Sequence, residues 1–376
     1  MVSAQTFASQ DIEVRNPNDG SVVGHAPDLG PADIDAAIAR ARVASRRWGA
    51  FDHAQRRKDL AAFRRGLATS AETLATLIHR ETGKPMVDAM SEVLLAIQHV
   101  SHATGRAPEA LATRTVSSGM MANLKSTVSY HPLGVIGVIG PWNYPIFTPM
   151  GSIAYALAAG NAVVFKPSEL TPLVAMEVGR IAAQTISVPD VLQVVTGRGA
   201  AGGALARGAV DKIAFTGSPA TGRKVMIAAA ERLTPVLLEL GGKDPMIVLA
   251  DADLDKAAEA AVWGSMTNAG QACVSIERCY VHESVYDRFV DKVMTEARDV
   301  RFGDDPGAHI GAITLGAQVD IIKRHLLDAE SKGAKFLLGG PDSIRGNVVP
   351  PQVVVDVTND MPVSYTHLTL PTNREV

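Results

Sequence analysis

Apolar residues follow two different patterns along this chain. Up to about residue 112 they recur at helical spacing, whereas from Val128 they gather in short unbroken runs that end in turns. In the first part, Ile34, Ile38, Ala41 and Trp48 after Pro31 predict an Ala-rich helix. Further helices are predicted over 55–67, 71–81 and 87–102, with Gly83-Lys-Pro85 as a stop signal between the last two. Ahead of them, 12–14 and 21–23 predict two short strands around the turn Asn16–Gly20. Basic residues in 56–65 fall at helical spacing, which predicts a solvated helix face.

The runs 135–139, 162–165, 191–195, 212–215 and 236–240 are apolar on both faces, and each stops at a turn containing Gly, Pro or Ser. Such runs predict interior strands of a parallel sheet with helical crossovers, hence a doubly wound α/β domain. Ligands of that architecture lie beyond the carboxyl ends of the strands. A second α/β block follows, with strands at 246–249, 277–282 and 336–338 and helices at 254–267, 285–298 and 319–329. Between the two patterns, 113–130 alternates polar and small residues and predicts an exposed hairpin. No internal repeat is evident.

Composition narrows the class. With 376 residues the chain has material for two or three domains. The 36 basic residues against 39 acidic give a net charge of -3, without the basic excess of a nucleic-acid binder. Two cysteines, Cys273 and Cys279, exclude a disulfide scaffold and make a reducing cytoplasm the default. Met1 to Gln10 lacks the pattern of a secretory signal. The longest apolar stretch, 145–165, is interrupted by Pro149, Gly151 and Asn161, so it predicts buried core in a soluble protein rather than a membrane span. The ten His show no metal-ligand spacing, and no metal is expected.

Several polar residues sit where chemistry is expected. Cys273, among small residues after a helix, has the setting of a nucleophilic thiolate, and equally that of a buried structural thiol. Cys279, inside an apolar strand, reads as structural. Glu239 at an apolar strand end is costly unless neutral or paired, which suits a general base or a carboxylate bonded to the following Gly amides. Asn143, hemmed by two prolines, is either an oxyanion donor or a turn residue. Phe215-Thr-Gly-Ser-Pro-Ala-Thr-Gly222 places Gly217 and Ser218 before a helical stretch over 224–233, an anion site suited to pyrophosphate. Lys166 and Glu169 are placed either to grip ribose hydroxyls or to form a surface ion pair.

Taken in order, Pro141-Trp-Asn-Tyr-Pro145, Phe165-Lys-Pro-Ser-Glu169, Phe215-Thr-Gly-Ser218, Leu238-Glu-Leu-Gly-Gly-Lys243 and Gly270-Gln-Ala-Cys273 resemble the NAD(P)-dependent aldehyde dehydrogenase superfamily. The resemblance runs from about residue 11 to 363. It implies a dinucleotide-binding domain over 1–112 and 131–241, a bridging hairpin at 113–130 that serves oligomerisation, and a catalytic domain over 242–363. It also implies a homo-oligomer acting on a small aldehyde. Cys273 would form a thiohemiacetal whose oxyanion meets the Asn143 amide and the Cys273 N–H. Glu239 would activate water against the resulting thioester. Cofactor contacts are implied at Trp142, Lys166, Ser168, Glu169, Gly217, Ser218, Leu240 and Gly241, and Glu169 favours NAD over NADP because it repels a 2′-phosphate.

After Val363 the sequence departs from the family pattern, which continues into Glu-Glu-Ile-Phe-Gly-Pro and roughly a hundred further residues. The expectation is therefore a catalytic domain lacking its last strands and a non-native tail at 364–376. Its exposed apolar faces would leave the polypeptide poorly soluble and nearly inactive. Two other classes stay open: an inert fragment or non-catalytic homologue that keeps the fold, and a cysteine acyl-transfer enzyme that uses no nicotinamide. The identity of the aldehyde is not legible.

Overall fold

In a computed structural model of the chain, residues 11–121 and 123–364 are described. The expectations for Met1–Gln10 and for the tail beyond Ser364 lie outside them. The strands β1 (Ile12–Arg15) and β2 (Val22–Ala26) form a two-stranded sheet, joined by the predicted turn. Four helices follow, α1 (Pro31–Gly49), α2 (His53–Thr69), α3 (Ala71–Thr82) and α4 (Met86–Ala110). Their starts are chemically marked. Pro31 opens α1 with the Asp33 carboxylate accepting from the Gly30 N–H at 2.9 Å. Asp52 and Gln55 close a reciprocal capping box on α2, at 2.8 and 2.9 Å. On α1, Ile34, Ile38, Ala41 and Trp48 are all buried, and the Trp48 indole donates to the Leu157 C=O at 2.8 Å.

The basic face predicted over 56–65 has one exception. Arg56 is buried, its guanidinium donating to the Phe51 C=O, and burial pulls it below the usual arginine range. Next, β3 (Arg114–Val116) and β4 (Ser126–Val128) pair antiparallel as the expected hairpin, with Met120, Met121 and Leu124 exposed around its turn.

The five predicted apolar runs become one five-stranded sheet. In chain order they are β5 (Val135–Ile139), β6 (Ala162–Lys166), β7 (Leu192–Val194), β8 (Lys212–Gly217) and β9 (Val236–Leu240). Helices α5 (Phe147–Ala158), α6 (Pro172–Thr185), α7 (Gly199–Arg207) and α8 (Pro219–Ala230) alternate with them. The spatial order is β7-β6-β5-β8-β9, with β5 parallel to both β6 and β8, and β6 parallel to β7. The chain winds one way from β5 to β7 and then returns past β5 to β8. The loops leaving β5 and β8 therefore flank the switch point, where doubly wound sheets bind ligands. Every residue of β5 and β6 is buried, as expected of interior strands. β9 differs: it is an edge strand, and its residues alternate between half-buried and exposed.

The remaining elements are β10 (Asp244–Val248), α9 (Leu254–Met266), β11 (Ile276–Val281), α10 (Tyr286–Arg298), α11 (Gly316–Ser331), β12 (Lys335–Leu338) and β13 (Val353–Val355). β10 and β11 pair parallel, and β12 and β13 antiparallel. Val248, Leu254, Ala258, Ala261, Val285 and Phe289 form a core of their own. No helix among the described residues is long and apolar enough to cross a membrane.

Two compact units result: residues 1–14, 24–77 and 90–239 form one, and 15–23, 78–89 and 240–376 the other. The boundaries expected from sequence cut across this division at 15–23 and 78–89. The reason lies in long-range hydrogen bonds. Ala312 N–H donates to Asn18 Oδ1 at 3.1 Å, Thr314 Oγ1 to the Thr82 C=O at 2.7 Å, and Asn347 Nδ2 to the Pro17 C=O at 3.1 Å.

Candidate active site

In the first unit the functional candidates stand at the carboxyl ends of the sheet. Leaving β5, Gly140 donates its N–H to the Lys166 C=O at 2.9 Å. A Cβ on Gly140 would meet the Phe165 ring at 2.8 Å and Pro149 at 2.9 Å, so only glycine fits. The turn then carries half-buried Trp142 and Asn143 into α5. Asn143 Oδ1 accepts from the Tyr144 N–H at 3.1 Å, which fixes the amide with its donor group, Nδ2, as the other polar end. Below the turn, the buried Glu92 of α4 accepts from the Ile146 and Phe147 N–H groups at 3.0 and 3.2 Å. A carboxylate there satisfies the open amides of α5 and complements its dipole.

At the end of β6, Lys166 and Glu169 lie 3.7 Å apart. The pair is not the surface bridge that one reading allowed, because the Lys166 side chain is only 5% exposed while that of Glu169 is 44%. Burial pulls the Lys166 ammonium below the usual lysine range, against the opposing pull of Glu169 and Asp28. Its Nζ also donates to the Pro167 C=O at 2.6 Å. Ser168 is buried and its Oγ accepts from the Leu170 N–H at 3.2 Å. Asp28 is held in turn by the Arg198 backbone N–H at 3.0 Å and its guanidinium.

At the end of β8, Ser218 is the N-cap of α8, its Oγ accepting from the Thr221 N–H at 3.2 Å. The helix thus begins at Pro219, ahead of the expected 224, and the hydroxyl works as a cap. Gly217 just before it bears no Cβ. One there would strike the Phe215 ring at 2.7 Å, so backbone alone fronts the helix N-terminus. A side-chain-free approach to open helix amides at the end of β8 fits a pyrophosphate, and the buried cation with its carboxylate at the end of β6 fits a ribose. Glu239 lies on β9, followed by half-buried Leu240 and Gly241. The desolvation inferred from its apolar neighbours does not apply, because Glu239 is exposed on the edge strand.

In the second unit Cys273 is exposed and follows a tight 3-10 turn, Thr267–Gly270. Three successive residues there take left-handed φ, Asn268 at 54°, Ala269 at 54° and Gly270 at 74°. Beyond the cysteine, buried Ser275 donates to the Gly264 and Ser265 C=O groups at 3.2 and 3.3 Å. The buried alternative for Cys273 therefore fails. Cys279 is exposed on β11 as well, although neighbouring protein atoms push its thiol up. Among the described residues no group of His, Cys, Asp or Glu is arranged to hold a metal ion.

Sequence reasoning overlooked Glu92 and Asp28. Glu92 left a signal, since it interrupts the apolar stripe Ala89, Val93, Ala96 of α4. Asp28 left none.

The sequence profile of the Aldehyde dehydrogenase family matches residues 2–371. The chain is 38% identical over 359 residues to a 4,4'-diapolycopene aldehyde oxidase of Methylomonas sp, covering 94% of this chain and 67% of that one. Among solved structures it is similar to an aldehyde dehydrogenase of Brucella melitensis biovar abortus 2308, with a TM-score of 0.90, 36% identity, and 94% and 73% of the two chains covered. It is likewise similar to an NADP dependent enzyme of E. coli, with a TM-score of 0.91, 35% identity, and 95% and 75% covered. An α/β sheet whose strand ends carry these motifs, matched over nearly its whole length by aldehyde-oxidising proteins, places this chain in the aldehyde dehydrogenase family.

Proposed function

We propose that this chain oxidises an aldehyde to a carboxylic acid through a thioester on Cys273. Its thiolate adds to the carbonyl carbon, forming a C–S bond and leaving an oxyanion. Asn143 Nδ2 and the Cys273 N–H stabilise that charge as it develops, the task of an oxyanion hole. Collapse of that oxyanion to the thioester releases a hydride, for which a bound nicotinamide would supply the acceptor. Glu239 then takes a proton from water as the water adds to the thioester carbon. Loss of the thiolate frees the acid, and covalent catalysis has split one hard step into two easier ones.

Lys166 and Glu169 would hold the adenosine ribose. The backbone at Gly217 and Ser218 would receive the pyrophosphate, with Trp142, Ser168, Leu240 and Gly241 lining the cofactor. The family uses NAD or NADP. The carboxylate at 169 favours NAD, since a 2′-phosphate beside it is repelled. A reducing cytoplasm suits a reaction that needs a free thiolate. The exposed Met120, Met121 and Leu124 of the β3–β4 hairpin suit self-association into a homo-oligomer.

The observation that carries the reading is the exposed Cys273 thiol at the end of a left-handed turn, a conformation that side-chain-bearing residues rarely adopt. The test is a panel of short aliphatic, aromatic and semialdehyde substrates with NAD and with NADP, followed by the appearance of reduced cofactor. Aldehyde-dependent reduction that disappears in Cys273→Ala is expected. Failure to bind either cofactor, or equal activity in the variant, overturns it.

A further inference from the structure

The turn ahead of Cys273 is unfavourable as backbone, and neighbouring side chains compensate for it. Asn268 is buried and Ala269 half-buried, yet both hold left-handed φ, which a Cβ disfavours. Gln271 spans the turn with both ends of its amide. Its Nε2 donates to the Asn268 C=O at 3.0 Å and to the Ala312 C=O at 3.4 Å, while its Oε1 accepts from the Thr314 N–H at 2.9 Å. Asn268 returns the bond, Nδ2 donating to the Gln271 C=O at 3.2 Å. Thr314 is itself anchored through Oγ1 on the Thr82 C=O, at the end of α3. The base beneath is well buried: Glu81, Thr82 and Lys84 are each at most 1% exposed, and His79 Nδ1 meets the Lys84 C=O at 2.7 Å.

We propose that Gln271 is a positioning residue for Cys273, clamping the Asn268–Gly270 turn in its left-handed course so that the thiol is delivered in one orientation. It does not touch the reacting atoms. The inference rests on the nucleophile reading above, because a clamp matters to catalysis only if the thiol reacts. Gln271 supplies the bonds across the turn and, through Thr314, ties it to the 78–89 segment. A loop held this way loses rate before it loses affinity. Displacing a reacting group by about an ångström costs on the order of a hundredfold.

The test reads loop order and catalysis separately on the full chain. Gln271→Ala removes three side-chain hydrogen bonds, so amide exchange over 268–275 should accelerate about ten- to a hundredfold. Exchange in β10 and α9 should stay within about twofold of the parent. kcat should fall about a hundredfold with KM nearly unchanged. Gln271→Glu keeps the acceptor for Thr314 but sets a carboxylate against two carbonyls. It should therefore resemble Gln271→Ala at neutral pH and approach the parent as protonation restores a donor. Unchanged exchange over 268–275 in Gln271→Ala overturns the clamp. So does equal acceleration in β10 and α9, or a Gln271→Glu form equivalent to the parent at every pH. If the parent oxidises no aldehyde, the nucleophile reading fails while the exchange measurements still decide the clamp.

Discussion

The strand-end loops of the first unit and the cysteine loop of the second are built on opposite terms. Leaving β5, β6 and β8, the chain turns into helices through ordinary devices: a glycine where no Cβ fits, a serine N-cap at 218, and a buried Glu92 on the open amides of α5. Little strain is stored there. The approach to Cys273 instead runs through three left-handed residues, two of them bearing side chains, at about 1–2 kcal/mol for each residue so forced. The hydrogen bonds of Gln271 and Asn268, each worth about 1 kcal/mol, are of the size needed to offset that. Cofactor-side residues thus depend on the fold in general, and the nucleophile on a few specific side chains. Substitutions at the cofactor contacts of the first set, Lys166 and Glu169, should alter binding, whereas those at Cys273 and at its oxyanion partner Asn143 should alter rate.

The largest effect expected is at the nucleophile itself. Cys273→Ala should abolish aldehyde oxidation, by about four orders of magnitude or more, while NAD affinity measured by calorimetry stays unchanged. Loss of cofactor binding in this variant would break the separation of roles. Second in size is Asn143→Ala, which removes the amide anchored on the Tyr144 N–H. Its kcat should drop about a hundred- to a thousandfold with KM within a few-fold, as steady-state kinetics would show. A rise in KM alone would reduce Asn143 to a turn residue.

How much of this was legible follows the range of the interactions. β5 and β6 could be read directly, since a strand buried on both faces must be apolar throughout. β9 has the same apolar composition, yet Glu239 is exposed, because a linear sequence does not tell an edge strand from a central one. Arg56 sits on the buried stripe of α2 with Leu60, Phe63 and Leu67, so its charge, and not its helical position, is what hid its burial. The cysteine motif announced Gln271 as a member but not its task, which depends on Thr314, 43 positions away. Likewise, 78–89 joins the second unit through a bond spanning 232 positions, beyond any local pattern.

A smaller effect belongs to the cofactor side. Lys166→Met replaces a buried ammonium with an apolar chain of similar length. The cofactor dissociation constant should rise about tenfold, with kcat recovered at saturating NAD. Glu169→Gln removes the exposed carboxylate of the pair and should shift the NADP-to-NAD ratio of kcat/KM toward NADP by about tenfold or less. A fall in kcat that persists at saturating cofactor, in either variant, would show that the loop leaving β6 shares the sensitivity of the cysteine loop.

The smallest expected effect sets His99 of the first unit against Asp88 of the second by the sign of their response to acid. In the first, His99 stacks on Phe147 at 5.1 Å, and burial, with help from His102, holds its pKa below 6.5. The unfolded chain therefore binds the proton more readily. The stability His99 contributes is complete above 6.5 and is lost as pH falls from there toward its folded value. In the second, burial raises Asp88 above 3.8 despite Lys84 and the Asn268 N–H, so the folded chain binds that proton more readily. Its contribution runs the other way, improving as pH falls through the folded pKa and then toward 3.8. Between about pH 7.5 and pH 5.5, global stability should fall slightly in the parent, and less in His99→Phe, which keeps the ring stack without the titrating nitrogen. Thermal melts at the two pH values check this, and an unchanged acid shift in His99→Phe would remove His99 from the account. Amide exchange resolved by unit sharpens it further: His99→Phe should slow acid-induced opening around α4 and α5 while leaving 268–275 unaffected.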